Sequence, residues 1–359
     1  MPVLDTNALI EDRVHAIREY HEKHGIERAE LDLSGGLDSA VLLGLLARAL
    51  GPENITTVYS SINSSLESLM RARLVAETFG VRLIEVELSG IYEILVNTML
   101  ESLALAGFDE EDTDFLIESD PTVLGSLRSC LRAPIGRGYN RLTNGGIRHG
   151  TGNECEDRIV RFYQKGGDGE VDTNPCAMLT KGEMYQLALA LGVPREIITA
   201  KPTPDLWASG ENHNDEDEYS EWLAYKPPEG MAWYSYINPD TGVYLNVGLI
   251  ERTARFVDLP IDTVAFMLDG VSPANVFDEI LVGEFLFDNE RLDIHPKILK
   301  MAETCGIFAG MNEIEIEGLL RAMKRAERIT RHKMNPNIPS LGSREALVEK
   351  GILTNTLPV

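Results

Sequence analysis

The sequence predicts an α/β fold, a mainly parallel twisted sheet with helices on both faces. Three observations carry this. Short apolar runs alternate with amphipathic stretches through the first half of the chain, the order that βαβ units produce. A string of small residues, Ser34-Gly35-Gly36-Leu37-Asp38-Ser39, stands where the first such run meets a leucine-rich segment. The 359 residues, 43% of them hydrophobic, suffice to bury a substantial core.

Taken in order, residues 7–28 put Ile10, Val14, Ile17 and His21 on one helical face. "AELDLS" reads as a strand and 38–50 as a helix. "ITTVYSS" reads as a strand, 65–80 as a helix and "RLIEVEL" as a strand. "GGIRHGT" (145–151) is a weaker strand, and "KGEMYQLALALGV" (181–193) a helix ending near Gly192. "GFDEEDTDFLIESD", between 107 and 120, is acidic and is expected to be an exposed connection. From residue 208 the chain turns acidic, then rich in Pro, Gly and aromatics, as loops or hairpins are. Segments 247–258, 260–269 and 275–286 read as short helices. A helix over 312–331 leads into "RHKMNPNIPSLGS", whose prolines stop it. Trp207, Trp222 and Trp233 are expected to pack rather than to stack on a base.

The net charge of −24 argues against a nucleic-acid-binding face, yet leaves room for a small anionic nucleotide. Cys130, Cys155, Cys176 and Cys305 form no C-x-x-C, which disfavours zinc ribbons and disulfides and suits a reducing cytosol. No apolar run approaches the roughly 18 residues of a membrane span. "MPVLDTNALIEDRV" lacks the apolar core of a signal peptide. A cytoplasmic protein is therefore expected.

The small-residue string follows a strand and opens a helix. Gly35 and Gly36 let the backbone turn so that N–H groups converge, and the helix adds its positive end, which together make an anion site. Ser34 and Ser39 supply hydroxyls, and Asp38 a hard oxygen for Mg²⁺ bound to polyphosphate. A simple helix N-cap by Asp38 or Ser39 is the competing reading. The string is neither a Walker A loop nor a dinucleotide Gly-x-Gly-x-x-Gly.

"SGGLDS" resembles the pyrophosphate-binding loop of the N-type ATP pyrophosphatases, which adenylate a carboxylate, amide or ureido oxygen and release pyrophosphate. Downstream, "HGTGNECEDRIVRFYQKGGDGEVDTNPCAMLTKGEMYQLALALGVPREIITAKPTPDLW" resembles the ammonia-dependent NAD synthetases. Several elements recur in order: Gly-Thr-Gly-Asn-x-x-Glu, Lys-x-Gly-Asp-Gly-x-x-Asp, Asn-Pro, Leu-x-Lys and Lys-x-Thr/Pro-x-Asp-Leu. "SSINSSLESLMRARLVAETFGV" shares the Ser-Ser-x-x-Ser that follows the second strand, and "RITRHKMNPNIPSLG" is similar to the family's His-Lys tail.

The resemblance implies a Rossmann-like adenine nucleotide alpha hydrolase fold with ATP at the C-terminal strand ends. It implies ATP-dependent amidation of deamido-NAD with ammonia, giving NAD, AMP and pyrophosphate through an acyl-adenylate. Carried over, Asp38 and Glu156 would hold Mg²⁺. Ser34, Gly35, Gly36, Asp38, Ser39, Thr151, Lys181 and Thr203 would meet ATP. Arg132, Lys165, Asp172, His332 and Lys333 would meet the dinucleotide, with Asp38, Lys181 and Asp172 closest to the chemistry. Also implied are a homodimer with the dinucleotide at the subunit interface, and ammonia that is free or comes from a separate glutaminase partner. Residues 1–215 would form the core, 216–311 an insertion, and 312–359 a helix and tail completing the core. Asp168, between Gly167 and Gly169, also makes a turn in its own right, and Cys155 reads as an inert buried thiol.

The chain departs from the family in three places. The family reads Gly-Asn-x-x-Ala-Arg-x-Arg where this chain has "GSLRSCLR" (125–132). Arg132 is kept, but Cys130 replaces the arginine that meets the dinucleotide, and Arg128 is the substitute that helix spacing offers. One extra residue stands between Glu156 and Lys165, and 217–311 has no recognisable counterpart. Two other activities stay open at this point: amidation of a different adenylated acid, and a catalytically weak nucleotide-binding regulator. The intact Asp38, Glu156 and Lys181 speak against the second. Without paired cysteines the thiolating branch is disfavoured, and no Cys-His-Glu glutaminase set is present.

Overall fold

The computed structural model describes residues 3, 5–120, 122–203, 215–238, 244–268, 270, 294–330, 333 and 341–355. Helix α1 (Thr6–His24) starts where Asp5 accepts from the Ala8 N–H and stops at Gly25 in the left-handed region, burying Leu9, Ile10, Val14, Ile17 and His21. The expected alternation follows: β1 (Ala29–Asp32), α2 (Leu37–Leu50), β2 (Ile55–Ser61), α3 (Leu66–Phe79) and β3 (Arg82–Glu87). Three helices, α4 (Ser89–Leu105), α5 (Glu110–Ser119) and α6 (Thr122–Leu142), return the chain to β4 (Ile147–His149). The sheet order is β3-β2-β1-β4 with every neighbouring pair parallel. β1 therefore lies inside the sheet, and the small-residue string leaves from its C-terminal end.

Helices α1, α2 and α7 (Lys181–Leu191) share one apolar cluster with the sheet, in which Leu31, Leu33, Leu42 and Leu45 are wholly buried. A separate cluster gathers Ile62, Leu88 and Tyr92 against Leu127, Leu131 and Ile135 of α6. α7 begins in a capping box, with Thr180 accepting from Glu183 N and the Glu183 side chain from Thr180 N, and ends at left-handed Gly192.

The stretch expected to be an acidic connection is corrected by α5. Its exposure was legible, since none of its residues is buried, but it is helical. Asp109 accepts from the Glu111 and Asp112 N–H groups, and three acids fill the first turn, where a helix favours negative charge.

After the short α8 (Arg195–Ile198), a second lobe forms from α9 (Asp215–Leu223), the antiparallel pair β5 (Tyr236–Ile237) and β6 (Tyr244–Asn246), α10 (Leu249–Val257) and α11 (Ile261–Met267). α12 (Pro296–Thr304) and α13 (Glu313–Thr330) complete it. The expected helix over 275–286 lies outside the described residues, as does Trp207. This lobe has its own core, centred on Trp233, Leu249, Phe256 and Leu319, and it takes in Cys155, Ile159 and Val160 from the first half of the chain. Trp233 packs as expected, fully buried with its indole N–H donated to Ser220 Oγ at 2.9 Å. The tail then rejoins the first core. α14 (Arg344–Glu349) brings Leu347, Ile352 and Leu353 into it, and Arg344 donates two 2.8 Å bonds to Glu183. Among the described residues no helix is long and apolar enough to cross a membrane.

Candidate active site

The string after β1 builds the first wall of the site. Gly35 has φ +80°, and a Cβ there would lie 2.5 Å from the Ser68 carbonyl oxygen, so glycine is needed for both conformation and clearance. Gly36 is the N-cap of α2 in extended conformation, and no side chain caps that helix. Neither Asp38 nor Ser39 is the cap. The loop is braced by its own serines: Ser34 Oγ accepts from Gly36 N at 3.2 Å, and Ser39 Oγ donates to Gly36 O at 3.1 Å. Helix α2 thus presents an uncapped positive end, the geometry of an anion site.

This end opens into a cavity of about 540 Å³. Ser34, Gly36, Asp38 and Ser39 line it from the loop, and Thr151, Glu156, Lys181, Thr203, Arg132 and Lys333 from elsewhere in the chain. Lys181 is the first residue of α7 and is buried. Its Nζ lies 2.5 Å from Asp38 Oδ2 and 3.4 Å from Glu156 Oε1. Burial works against the ammonium, but Asp38, Glu156 and Asp215 outweigh it and hold the group well above its ordinary range. Glu156 is pushed up to about 7 by burial and by the Asp38 charge, against the pull of Lys181. Asp215, at the start of α9, is pushed up to about 6, chiefly by burial. Asp38 Oδ1 is buried and has no hydrogen-bond partner among the described residues.

Glu156 sits on a π-helical turn, Cys155–Val160. Asn153 Oδ1 accepts from Cys155 N at 3.0 Å and Glu156 N at 3.2 Å, and Arg161 closes the turn at φ +51° by donating its N–H to Glu156 O. A π turn holds one residue more than an α-turn, and this one overlaps the stretch between Glu156 and Lys165 in which the sequence reads one residue longer than the family pattern. The Cys155 thiol is raised well above its usual value by burial, as expected of an inert cysteine.

Helix α6 forms the facing wall with Val123, Ser126, Ser129 and Arg132, spaced three apart. Arg132 donates to Ser60 O at 3.1 Å, and Ser129 Oγ donates to Asp168 Oδ1 at 2.7 Å. Arg128 cannot stand in for the missing arginine. It is 1% exposed, donates to the Ile62 carbonyl and does not line the cavity. Helix spacing puts Arg128 one turn before Arg132, but its guanidinium is taken up by the Ile62 carbonyl and not by the cavity that Ser129 and Arg132 line. Cys130 is half-buried and is likewise absent from the cavity wall.

The remaining expected residues fall in different places. Lys333 Nζ donates to Tyr163 O at 2.7 Å and Arg161 O at 3.3 Å, while Tyr163 OH donates to Lys333 O at 2.6 Å, so the tail is tied to the cavity wall. His332 lies outside the described residues. Lys165 is exposed and off the cavity wall. Asp172 accepts from Arg137 Nη1 at 2.9 and 3.0 Å and from Arg148 N at 2.8 Å. It lines a second cavity of about 490 Å³ with Tyr20, His24, Arg137 and Asn140. Asp168 is both the expected turn, accepting from Gln164 N at 2.8 Å, and part of the main cavity wall.

Sequence reasoning missed Asp32, Lys201, Asp215 and Trp222, all of which line the main cavity. Asp215 heads an acidic run that reads as a solvated surface, and only the folded lobe turns its first member inward. Trp222 packs edge-on to Phe162 at 5.2 Å between centroids as well as lining the cavity.

A family model described as NAD synthase matches residues 9–225. An NH(3)-dependent NAD(+) synthetase of Thermococcus kodakarensis is 30% identical over 235 residues, covering 65% of this chain and 82% of its own length. One from Alkaliphilus oremlandii is 31% identical over 209 residues, 58% of this chain and 79% of its own. Among solved structures, an NMN synthetase from Francisella tularensis aligns with a TM-score of 0.52 at 22% identity, covering 63% of this chain and 89% of the other. That last likeness is one of fold.

Proposed function

This chain belongs to the NAD synthase family, and from that premise we propose that it joins ammonia to deamido-NAD at the expense of ATP, giving NAD, AMP and pyrophosphate. The observation that carries the reading is Lys181 reaching both Asp38 and Glu156 in the cavity onto which the glycine loop and the open end of α2 face.

The loop serines and α2 would seat the leaving pyrophosphate. Lys181 would neutralise the charge that develops there as the bond from the α-phosphorus to pyrophosphate breaks. A carboxylate oxygen of deamido-NAD attacks that phosphorus and forms the acyl-adenylate. Ammonia then attacks the acyl carbon, AMP leaves with the carbon–oxygen electron pair, and the nitrogen sheds a proton. Carboxylate and polyphosphate are both anionic, so the cations Lys181, Lys201, Arg132 and Lys333 around the cavity have a stated purpose.

The donor set suits Mg²⁺. Asp38 keeps a buried oxygen without a partner among the described residues, and Glu156 offers a second carboxyl. Among the described residues no group of three or more His, Cys, Asp or Glu could hold a metal alone. One or two carboxylates completed by substrate phosphates is how Mg²⁺ is commonly held. When bound, the ion offsets charge on the polyphosphate.

The cavity holding Asp172, Tyr20 and Arg137 is proposed to take part of the dinucleotide. A homodimer is supported by the apolar side chains that α4 and α5 leave in solvent, with Ile94 at 69% and Phe115 at 68% exposure. Incubation with ATP, Mg²⁺, ammonium and deamido-NAD tests the reading. NAD and pyrophosphate should form in equal amounts, and Asp38→Ala should stop both. Pyrophosphate release only with a different acid would overturn it.

A further inference from the structure

We propose that the segment beyond residue 225, outside the family-matched stretch, serves the reaction by positioning Lys181, through Glu251 and Tyr234. The inference rests on the assignment of Lys181 to the ATP phosphates.

Lysine is a long, flexible side chain, and its two acidic partners are the groups that nucleotide and metal would engage. Something else has to keep the ammonium in place when those partners turn to ligand. Two contacts from the inserted lobe do so. Glu251 Oε1 accepts from Gly182 N at 3.1 Å, one residue beyond Lys181 in the first turn of α7. Its other oxygen accepts from Gly248 N at 3.3 Å, at the start of α10 itself. A single wholly buried carboxyl group therefore joins the N-terminal turns of two helices. The ammonium in turn stands 5.5 Å from the centroid of the Tyr234 ring, within the roughly 6 Å over which a cation feels an aromatic face. Tyr234 is 2% exposed and is backed by Tyr219, whose ring meets it edge-on at 5.3 Å.

The same helix reaches the partner acid's support. Arg255 of α10 is bonded to Glu154, which adjoins the π turn carrying Glu156. Arg158 on that turn reaches Asp258 at 2.8 Å, just past the end of α10. α10 thus stands behind both members of the Lys181–Glu156 contact, and neither Glu251 nor Tyr234 need touch a substrate to matter. They are positioning residues.

A double-mutant cycle separates this role from a merely structural one. Pyrophosphate release at saturating ATP, and melting temperature, are measured for Glu251→Ala, Tyr234→Leu and Tyr234→Phe, each with Lys181 intact and with Lys181→Met. With Lys181 present, Glu251→Ala and Tyr234→Leu should each lower kcat about 10-fold or more, the scale of a misplaced catalytic group. Tyr234→Phe, which keeps the ring, should stay within about 2-fold. In the Lys181→Met background the same changes should cost no more than about 2-fold. Arg252→Ala is the control. Arg252 sits on α10 but donates to the Ile307 and Ala309 carbonyls, each at 3.0 Å, so its loss should lower the melting temperature and leave kcat alone. Equal losses in both Lys181 backgrounds, or a matching kcat loss in Arg252→Ala, would overturn the proposal. Tyr234→Phe falling as far as Tyr234→Leu would do the same. If Lys181→Met alone turns over normally, the assignment of Lys181 is what fails, and this proposal falls with it.

Discussion

Replacing Gly35 with alanine should cost far more than replacing Gly36, though the two are neighbours in one loop. At Gly35 the backbone is left-handed, φ +80°, which costs an L-residue about 1–2 kcal/mol. The added Cβ would also meet Ser68 O at 2.5 Å and Ala72 N at 2.9 Å, both backbone atoms of α3 that cannot rotate aside. Forcing such a contact typically costs about 1–3 kcal/mol. Together these predict a loss of about 2–5 kcal/mol, or roughly 3–7 °C in melting temperature for a chain of this size. The loop can escape only by leaving α3, which displaces the open end of α2, so pyrophosphate release should fall about 100-fold. At Gly36 the backbone is ordinary, φ −88°, and the nearest atom to a Cβ is Ser34 Oγ at 3.3 Å. Gly36→Ala should therefore change stability by less than about 1 kcal/mol. Thermal unfolding of both variants, with and without Mg-ATP, decides the matter. A Gly35→Ala protein that melts like the wild type would refute the reasoning.

Other consequences can be checked in the same way. His149 is held down at about 3 by burial, with His21 adding to it. Unfolded histidine takes up a proton below its ordinary value and the folded one does not, so this contribution to stability fades as the pH falls below 6.5. The loss reaches about 2 kcal/mol at pH 5. Glu30, pushed up to about 7 by burial and by Asp32, works in the opposite sense over the same window, because the folded chain keeps a proton the unfolded one releases. The difference between wild type and His149→Gln isolates the histidine, and the variant should lose less stability from pH 7 to pH 5. Arg161→Gly relieves a left-handed residue worth about 1 kcal/mol but strands Glu327, 5% exposed and 3.0 Å from its guanidinium, at about 3–5 kcal/mol. A net loss is expected in urea titration, and adding Glu327→Gln should recover most of it. Ile94→Asp should halve the mass seen in sedimentation if α4 faces a second copy, with the melting transition of the chain retained.

The sheet and its helices were legible because the period of apolar residues is a local property: β1, β2, β3 and α1, α2, α3, α7 fall where alternation and helical spacing put them. The glycine loop was legible for a similar reason, since a strand, small residues and a helix start are consecutive in the chain. α5 was not, because its acidic first turn looks the same in solvent whether helical or irregular, and Asp109 decides it through hydrogen bonds. Arg128 misled because helix spacing sets where a side chain starts and not where a long one ends, and its guanidinium is drawn to the Ile62 carbonyl. Asp215 and Tyr234 lie far along the chain from the loop and are brought to Lys181 by a lobe core whose long-range contacts no local spacing encodes.

The π turn at Cys155–Val160 bears on how such a chain can drift. An additional residue in an α-helix would normally rotate everything after it by about 100°, turning one face of the helix to another. A π turn has room for such a residue, and here it ends at left-handed Arg161, whose N–H is donated to the Glu156 carbonyl. Length and orientation become separable quantities over this short stretch. A residue gained or lost inside a turn of this kind need not rotate the helix beyond it, and the carboxyl the turn carries here, that of Glu156, is the one that meets the ammonium of Lys181.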